Sequence, residues 1–254
     1  MVNDMSSEPS PQNIYDDPRF FAGYSELPRF GEGWTGAFEH TAFKSLLPDV
    51  TGQRALDLGC GTGQWAAFLA ECGASEVIGV DLSEQMLAVA HRDRAHPRVT
   101  YQRNSMEDAE FPAGRFELVI SSLAFHYVDD FAGLAGRVAN WLTPGGHLVF
   151  STEHPVYLSR ATSEGWVRDA DGNIQHWALN GYGDEGLREE NWIMAGVRKH
   201  HRMVSTILND LAGAGLIIER VEEPMPTPEQ LREHPTWIEE RRRPFCLLVR
   251  ARKP

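Results

Sequence analysis

The sequence predicts an α/β fold, a doubly wound and mostly parallel sheet of seven strands with an aromatic-rich insertion after the fifth. Three observations support this. Short apolar runs alternate with stretches whose apolar residues recur at helical spacing, the pattern of strands joined by crossover helices. The first strand, Arg54-Ala55-Leu56-Asp57-Leu58, runs into three glycines at alternate positions, Gly59, Gly61 and Gly63. The second, Glu76-Val77-Ile78-Gly79-Val80-Asp81, ends on an acid 24 positions after Asp57.

Residues 1 to about 13 contain two adjacent serines, Pro9 and Pro11 and read as a loosely attached tail. From Tyr15 to Leu47 aromatics crowd together, namely Tyr15, Phe20, Phe21, Tyr24, Phe30, Trp34 and Phe38, and packing beneath a helix accounts for most of them. After the first strand, the glycines let the backbone turn sharply and let a ligand lie against bare main chain. Trp65, Phe68, Leu69 and Cys72 then recur at i, i+3, i+4 and i+7, so a helix follows, and its N-terminal N–H groups suit an anionic group such as a carboxylate. The dinucleotide fingerprint would require glycine or alanine at Gln64, which speaks against a nicotinamide enzyme.

Asp81 sits where a doubly wound fold places a carboxylate beside a ribose, since an ionised carboxylate accepts from both hydroxyls. Ser83 is better placed to cap the helix begun by Glu84-Gln85-Met86-Leu87. Val99–Gln102 reads as the third strand, Arg103–Asp108 as the loop after it, and Phe116–Ser122 as the fourth strand. Asp129 and Asp130 start a helix marked by Phe131, Leu134, Ala135, Val138 and Trp141, and Thr143-Pro144-Gly145-Gly146 makes a turn into the fifth strand, His147–Thr152. Residues 153–202 show few helical periods but many aromatics and histidines, and read as an insertion with short antiparallel strands that folds over the site. Val204, Ile207, Leu208 and Leu211 give one more helix, followed by strands at Leu216–Val221 and Phe245–Val249. Arg241-Arg242-Arg243 reads as a solvated run.

Composition narrows the function. A net charge of −12 over 254 residues argues against a broad nucleic-acid surface. Cys60, Cys72 and Cys246 form neither a disulfide framework nor a zinc pattern, and a reducing cytoplasm suits them. No basic n-region or membrane-length apolar run is present, so neither secretion nor a membrane location is expected. The histidines lack regular ligand spacing, so no metal is expected.

The spacing D-x-G-x-G-x-G at Asp57–Gly63 resembles motif I of the class I S-adenosylmethionine (SAM) dependent methyltransferases. Phe116–Val128 resembles their motif IV, and the Leu-x-Pro-Gly-Gly-strand arrangement at Leu142–Ser151 is typical of them. The resemblance covers residues 50 to 152 by motif and 203 to 252 by element order, and is to the small-molecule, domain-11-like type. It implies SAM as cofactor and S-adenosylhomocysteine as product. Asp57, Gly59, Cys60, Gly61 and Gly63 would hold the methionine end, and Asp81 with Leu82 the ribose. Ser105 stands where the family commonly has an aspartate accepting from the adenine amino group. That departure leaves adenine to Ser105, Glu107, Asp108 or backbone, with Met106 on its face. Ser121 would lie at the strand-four edge facing the methyl.

In such enzymes an N-terminal helical segment closes over the site, which divides the chain into a tail and lid at 1–48 and a methyltransferase domain at 49–254. Tyr15 and Tyr24 become lid candidates. His126 and His154, each just past a strand end, are the expected catalytic residues, for acceptor orientation or proton removal. Tyr157, Trp192 and His201 of the insertion join Tyr15, Tyr24 and His126 as expected substrate contacts. The implied reaction is in-line SN2 transfer to an O, N, S or C atom of a small-molecule acceptor by a monomer or homodimer. The alternatives are a SAM-binding sensor or partner subunit without catalysis, and a protein methyltransferase.

Overall fold

Strands that are apolar at every position need cover on both faces, and the chain supplies it from both sides of one sheet. The structure, a computed structural model, describes residues 11–31, 36–160 and 164–254. The expected tail up to residue 10 and Trp34 therefore lie outside the described residues. Three short helices lead in: α1 (Pro18–Ser25), α2 (Pro28–Gly31) and α3 (His40–Leu46). The alternating part follows as β1 (Arg54–Leu58), α4 (Gln64–Glu71), β2 (Glu76–Asp81), α5 (Glu84–Asp93), β3 (Val99–Arg103), β4 (Phe116–Ser122), α6 (Phe131–Trp141) and β5 (Leu142–Glu153). The insertion comprises α7 (Pro155–Leu158) and two antiparallel hairpins, β6 (Trp166–Arg168) with β7 (Ile174–Trp177) and β8 (Gly186–Trp192) with β9 (Met194–His201). α8 (Val204–Gly213), β10 (Ile217–Glu222), α9 (Pro228–Glu233) and β11 (Cys246–Arg252) complete the order.

The sheet runs β10-β11-β5-β4-β1-β2-β3. Neighbours from β5 to β3 are parallel, whereas β11 lies antiparallel between β5 and β10. β2 and β3 lie on one side of β1, and β4 and β5 on the other, so the winding direction reverses between β1 and β4. A doubly wound sheet opens its binding crevice at the carboxyl ends of the strands at such a reversal. The Thr143–Gly146 turn is taken into the entry of β5, where pairing jumps from Leu142 opposite Phe116 to His147 opposite Leu118.

Strand alternation sorts the core. Leu56 and Leu58 join Ile78, Val80 and Phe150 beneath α6 and α8, which contribute Leu134, Val138, Ile207 and Leu211. Ala55, Val77, Leu118 and Ile120 face the other way, toward Trp65 and Leu69 of α4 and Phe43 and Leu46 of α3. The Phe43 and Trp65 rings meet with centroids 4.5 Å apart. The region expected as a lid therefore divides, with α3 packed on the sheet and reaching the cavity only through His40, and residues 11–31 carrying most of the cover. Ser83 caps α5 by accepting from the Met86 N–H, and Asp130 caps α6 by accepting from the Gly133 N–H. No helix among the described residues is long and apolar enough to cross a membrane.

The insertion is pinned to the end of β5 by a buried ion cluster. Lys199 Nζ on β9 lies 2.6 Å from Glu153 Oε1 and 2.8 Å from Glu190 Oε2, and Arg160 Nη2 lies 2.8 Å from the same Glu190 oxygen. Burial opposes the Lys199 charge, but Glu153, Tyr127 and Glu190 outweigh it and keep the amine protonated. Without Lys199, Glu190 keeps Arg160 but Glu153 is left buried and uncompensated, so Lys199→Ala should lower the unfolding free energy by about 3–5 kcal/mol in urea melts. A loss no larger than that of a surface substitution would show that other contacts hold the insertion.

Candidate active site

Beyond Leu58 the chain turns through Gly59 (φ 71°), Gly61 (φ 52°) and Gly63 (φ 77°), all in the left-handed region that side chains disfavour. A Cβ on Gly59 would stand 2.4 Å from the Ala124 methyl, so this glycine is needed for the loop to pack against the turn after β4. A Cβ on Gly61 would meet nothing within 4 Å, because that position faces the cavity. Leu123 opens the opposite wall with φ 52°, a costly conformation held by bonds from its N–H to the Ser151 carbonyl and hydroxyl.

Two carboxylates stand at the ends of adjacent strands. Asp81 Oδ2 accepts from the Gly61 N–H at 2.8 Å and Oδ1 from the Ser83 N–H at 2.9 Å, which ties the glycine loop to the start of α5. Each oxygen keeps a lone pair for a further donor. Asp57 is 1 % exposed, and its Oδ2 has no hydrogen-bond partner. Burial, with the Asp81 charge next, pushes its carboxyl up to about 8. An orphaned buried acceptor of this kind fits a ligand ammonium. Together with a diol acceptor and a bare main-chain cradle, the set matches the ammonium, ribose and methionine backbone of SAM.

These groups line one cavity of about 620 Å³. Leu82, Met86 and Asn104–Asp108 form one end. Ser105 lies there, but its hydroxyl donates to Asp108 Oδ2 at 2.7 Å and accepts from the Asp108 N–H at 2.9 Å, closing a local turn. Burial raises the Glu107 carboxyl, which accepts from the Asp129 N–H. The other end is walled by Tyr15, Tyr24, Arg29, Phe30 and Tyr127. The Tyr15 and Tyr127 hydroxyls meet at 3.0 Å, and the rings of Tyr15 and Tyr24 stand edge to face at 5.1 Å. Residues 11–15 cross the opening as a strap. At one side Asp16 accepts from the Ser83 hydroxyl and the Gln85 N–H; at the other the Gln12 amide pairs with the β9 backbone at Gly196 and Arg198. Leu187, Arg198 and His200 of the β8–β9 hairpin complete the wall.

Asp57, Gly59, Cys60, Gly61, Asp81, Leu82, Ser105, Met106, Glu107, Tyr15 and Tyr24 are thus brought together as expected from sequence. Several expected residues are not. His126 is buried away from the cavity, its Nδ1 accepting from the Glu153 N–H at 3.3 Å; burial, then the Lys199 charge, hold it neutral. His154 caps α7, with Nδ1 accepting from the Val156 N–H and Nε2 donating to Glu223 Oε1 at 2.7 Å. Tyr157 stacks on Trp177 and covers the Arg243 guanidinium. His201 Nε2 donates to the Tyr182 carbonyl at 2.9 Å. Trp192 stands behind the wall, edge-on to Tyr24 and Phe20. The Ser121 hydroxyl is spent on the Leu58 carbonyl, and Ser122 lines the cavity instead. Gly63 caps α4, and a Cβ there would strike the Tyr101 hydroxyl at 2.3 Å. Sequence reading missed Arg29, Tyr127 and His200. For His200 the signal was strand alternation, which sends one of the adjacent pair His200–His201 to the cavity and the other to the core. His200 Nδ1 lies 3.0 Å from Asp129 Oδ1.

A family model described as a methyltransferase domain matches residues 55–146. A crystal structure of an S-adenosylmethionine dependent methyltransferase from Mesorhizobium loti is 46 % identical and superposes with a TM-score of 0.81, covering 87 % of this chain and 100 % of that one. An uncharacterised protein of Haemophilus influenzae is 36 % identical over 251 residues, 95 % of this chain and 97 % of that one. With the glycine loop, the two strand-end carboxylates and the reversed sheet order, these similarities identify the chain as a member of the class I SAM-dependent methyltransferases.

Proposed function

We propose that the protein methylates a small molecule held between the tyrosine wall and the β8–β9 hairpin. The observation that carries this reading is the continuity of a single cavity, from the glycine loop to Tyr15, Tyr24 and Tyr127, within the size range of small-ligand sites. Bound SAM supplies an activated methyl on a sulfonium, which passes in line to a nucleophile. Asp81 fixes the ribose, Asp57 neutralises the ammonium, and the turn at Leu123 and Ala124 presents the carboxyl end of β4 to the reacting centre. The strap, tied to α5 by Asp16 and to β9 by Gln12, excludes water from one side. His126 and His154 serve the fold in this reading.

Asp81→Ala should weaken SAM binding by about 1–3 kcal/mol in a calorimetric titration, the scale of hydrogen bonds to a charged group; an unchanged affinity would refute the ribose assignment. Asp57 yields a pH prediction. Its folded carboxyl titrates near 8 against an ordinary 3.8, so the folded state keeps a proton that the unfolded chain releases, and its stabilising effect declines as pH rises between those values. SAM binding at pH 7 should therefore expel close to one proton, seen as a dependence of binding enthalpy on buffer ionisation heat. Asp57→Asn should abolish that release and stabilise the free protein at pH 8, and release that survives the substitution would contradict the assignment. His154→Ala should lower the melting temperature while the residual folded enzyme keeps its turnover; slow turnover in a normally melting variant would return His154 to catalysis.

A further inference from the structure

Arg29 brings a cation to the tyrosine end of the cavity, and its counter-charge is buried behind it. Its Nη2 donates to Glu39 Oε1 at 2.6 Å, and Glu39, at the start of α3, is 1 % exposed. The approach of the two segments is tight, since a Cβ on Gly36 would stand 2.3 Å from the Pro28 carbonyl oxygen. Glu39 takes one of the five N–H donors of the guanidinium, and among the described residues the hydrogen bonds of that group end there. The Arg29 side chain is 24 % exposed and lines the cavity, so donors remain for an incoming anion.

The neighbours of the guanidinium locate it. Burial dominates the titration of the Tyr24 hydroxyl, the His126 ring and the Cys246 thiol, and the Arg29 charge acts on all three. Cys246 lies opposite Glu153 at the end of β5. The Asp57 carboxyl is shifted instead by burial, Asp81 and a bond from the Ala66 N–H. Arg29 therefore stands on the β5 side of the crevice, apart from the ammonium site, and Tyr24 feels both its charge and that of Asp81.

Resting on the methyltransfer reading above, we infer that the acceptor carries a carboxylate and that Arg29, positioned by Glu39, binds it. A guanidinium offers a carboxylate two parallel N–H donors in a fixed plane, a match that a point charge does not provide. Glu39 already balances Arg29, so the site tolerates one added negative charge better than the two of a phosphate. Tyr24 and Phe30 meet edge to face at 5.9 Å beside it, an apolar flank that excludes water and strengthens the ion pair. A pair that served only to join α2 to α3 would be no less stable as two apolar side chains, because desolvating Glu39 offsets much of the attraction.

The test uses the full chain saturated with S-adenosylhomocysteine and titrates it calorimetrically with benzoate, benzamide and phenyl phosphate, which share a ring and differ in charge. Benzoate should bind about tenfold more tightly than benzamide, and more tightly than phenyl phosphate. Arg29→Met should weaken benzoate by about tenfold or more, the scale of a charge-assisted hydrogen bond, with S-adenosylhomocysteine affinity unchanged. Glu39→Gln keeps an oxygen for Arg29 but removes the counter-charge, so it should tighten benzoate, an effect that a purely structural pair would not produce. The double variant Arg29→Met/Glu39→Gln leaves no unpaired buried charge and should lose benzoate as Arg29→Met does, which covers the case in which the single variant fails to fold. Absence of benzoate binding, benzamide or phenyl phosphate bound as tightly, or a benzoate affinity insensitive to Arg29 or to Glu39 overturns the proposal. So does a loss of S-adenosylhomocysteine affinity in a folded Arg29 variant, which would assign the guanidinium to the cofactor carboxylate. Failure of the unaltered protein to bind S-adenosylhomocysteine would instead defeat the methyltransfer reading itself.

Discussion

Two carboxylates at the ends of adjacent parallel strands, Asp57 buried and Asp81 half-buried, dominate this molecule. Asp57 and Asp81 cannot both carry full charge cheaply in a space with so little water, and Asp57 takes the strain with its carboxyl raised to about 8 and an oxygen without a partner. Asp81 is relieved by the main-chain N–H groups of Gly61 and Ser83, and in accepting them it shapes the glycine loop and the start of α5. The loop can be so shaped only because Gly59 and Gly61 adopt left-handed backbone. The resulting cleft is a template for a ligand bearing a cation at one point and a diol at another.

Around this centre the chain adds parts that depend on it. Asp16 joins α5 beside the Asp81 loop, so the N-terminal strap is anchored on the cofactor side, and Gln12 carries the same strap to the edge of β9. The β8–β9 hairpin is held from below by the Lys199 cluster and shows its other face to the cavity. One face of the hairpin is therefore buried on the Lys199 cluster and the other lines the cavity, as strand alternation requires. The cofactor half and the acceptor half meet at the turn after β4, where Leu123 adopts a conformation that a leucine keeps only under constraint.

The cofactor half was legible in sequence because its signals are local. A glycine loop directly after a strand, and an acid ending the next strand, fix both the residues and their direction, and Asp57, Gly61 and Asp81 were found on that ground. The acceptor half was not legible in the same way. His126, His154 and His201 were placed by position past a strand end or by residue type, and neither says which way a side chain points. That direction is set by the register of β9 against β8 within one hairpin and by the packing of the insertion on β5, the latter through contacts such as Lys199 with Glu153, 46 positions apart. Ser105 shows the same limit at short range, because its hydroxyl is consumed by Asp108 three residues on, a turn that composition alone does not announce. The seven strands of the main sheet were legible along the chain, since each is a short apolar run bounded by turn residues, whereas their spatial order is set by the crossovers.

The most direct measurement of the central claim is a crystal structure of the complex with S-adenosylhomocysteine. Both ribose hydroxyls should lie on the Asp81 carboxylate and the ligand ammonium, directly or through one water, on the Asp57 oxygen that lacks a partner. A ligand whose amino end lies away from Asp57, or whose ribose is held by other groups, would contradict it.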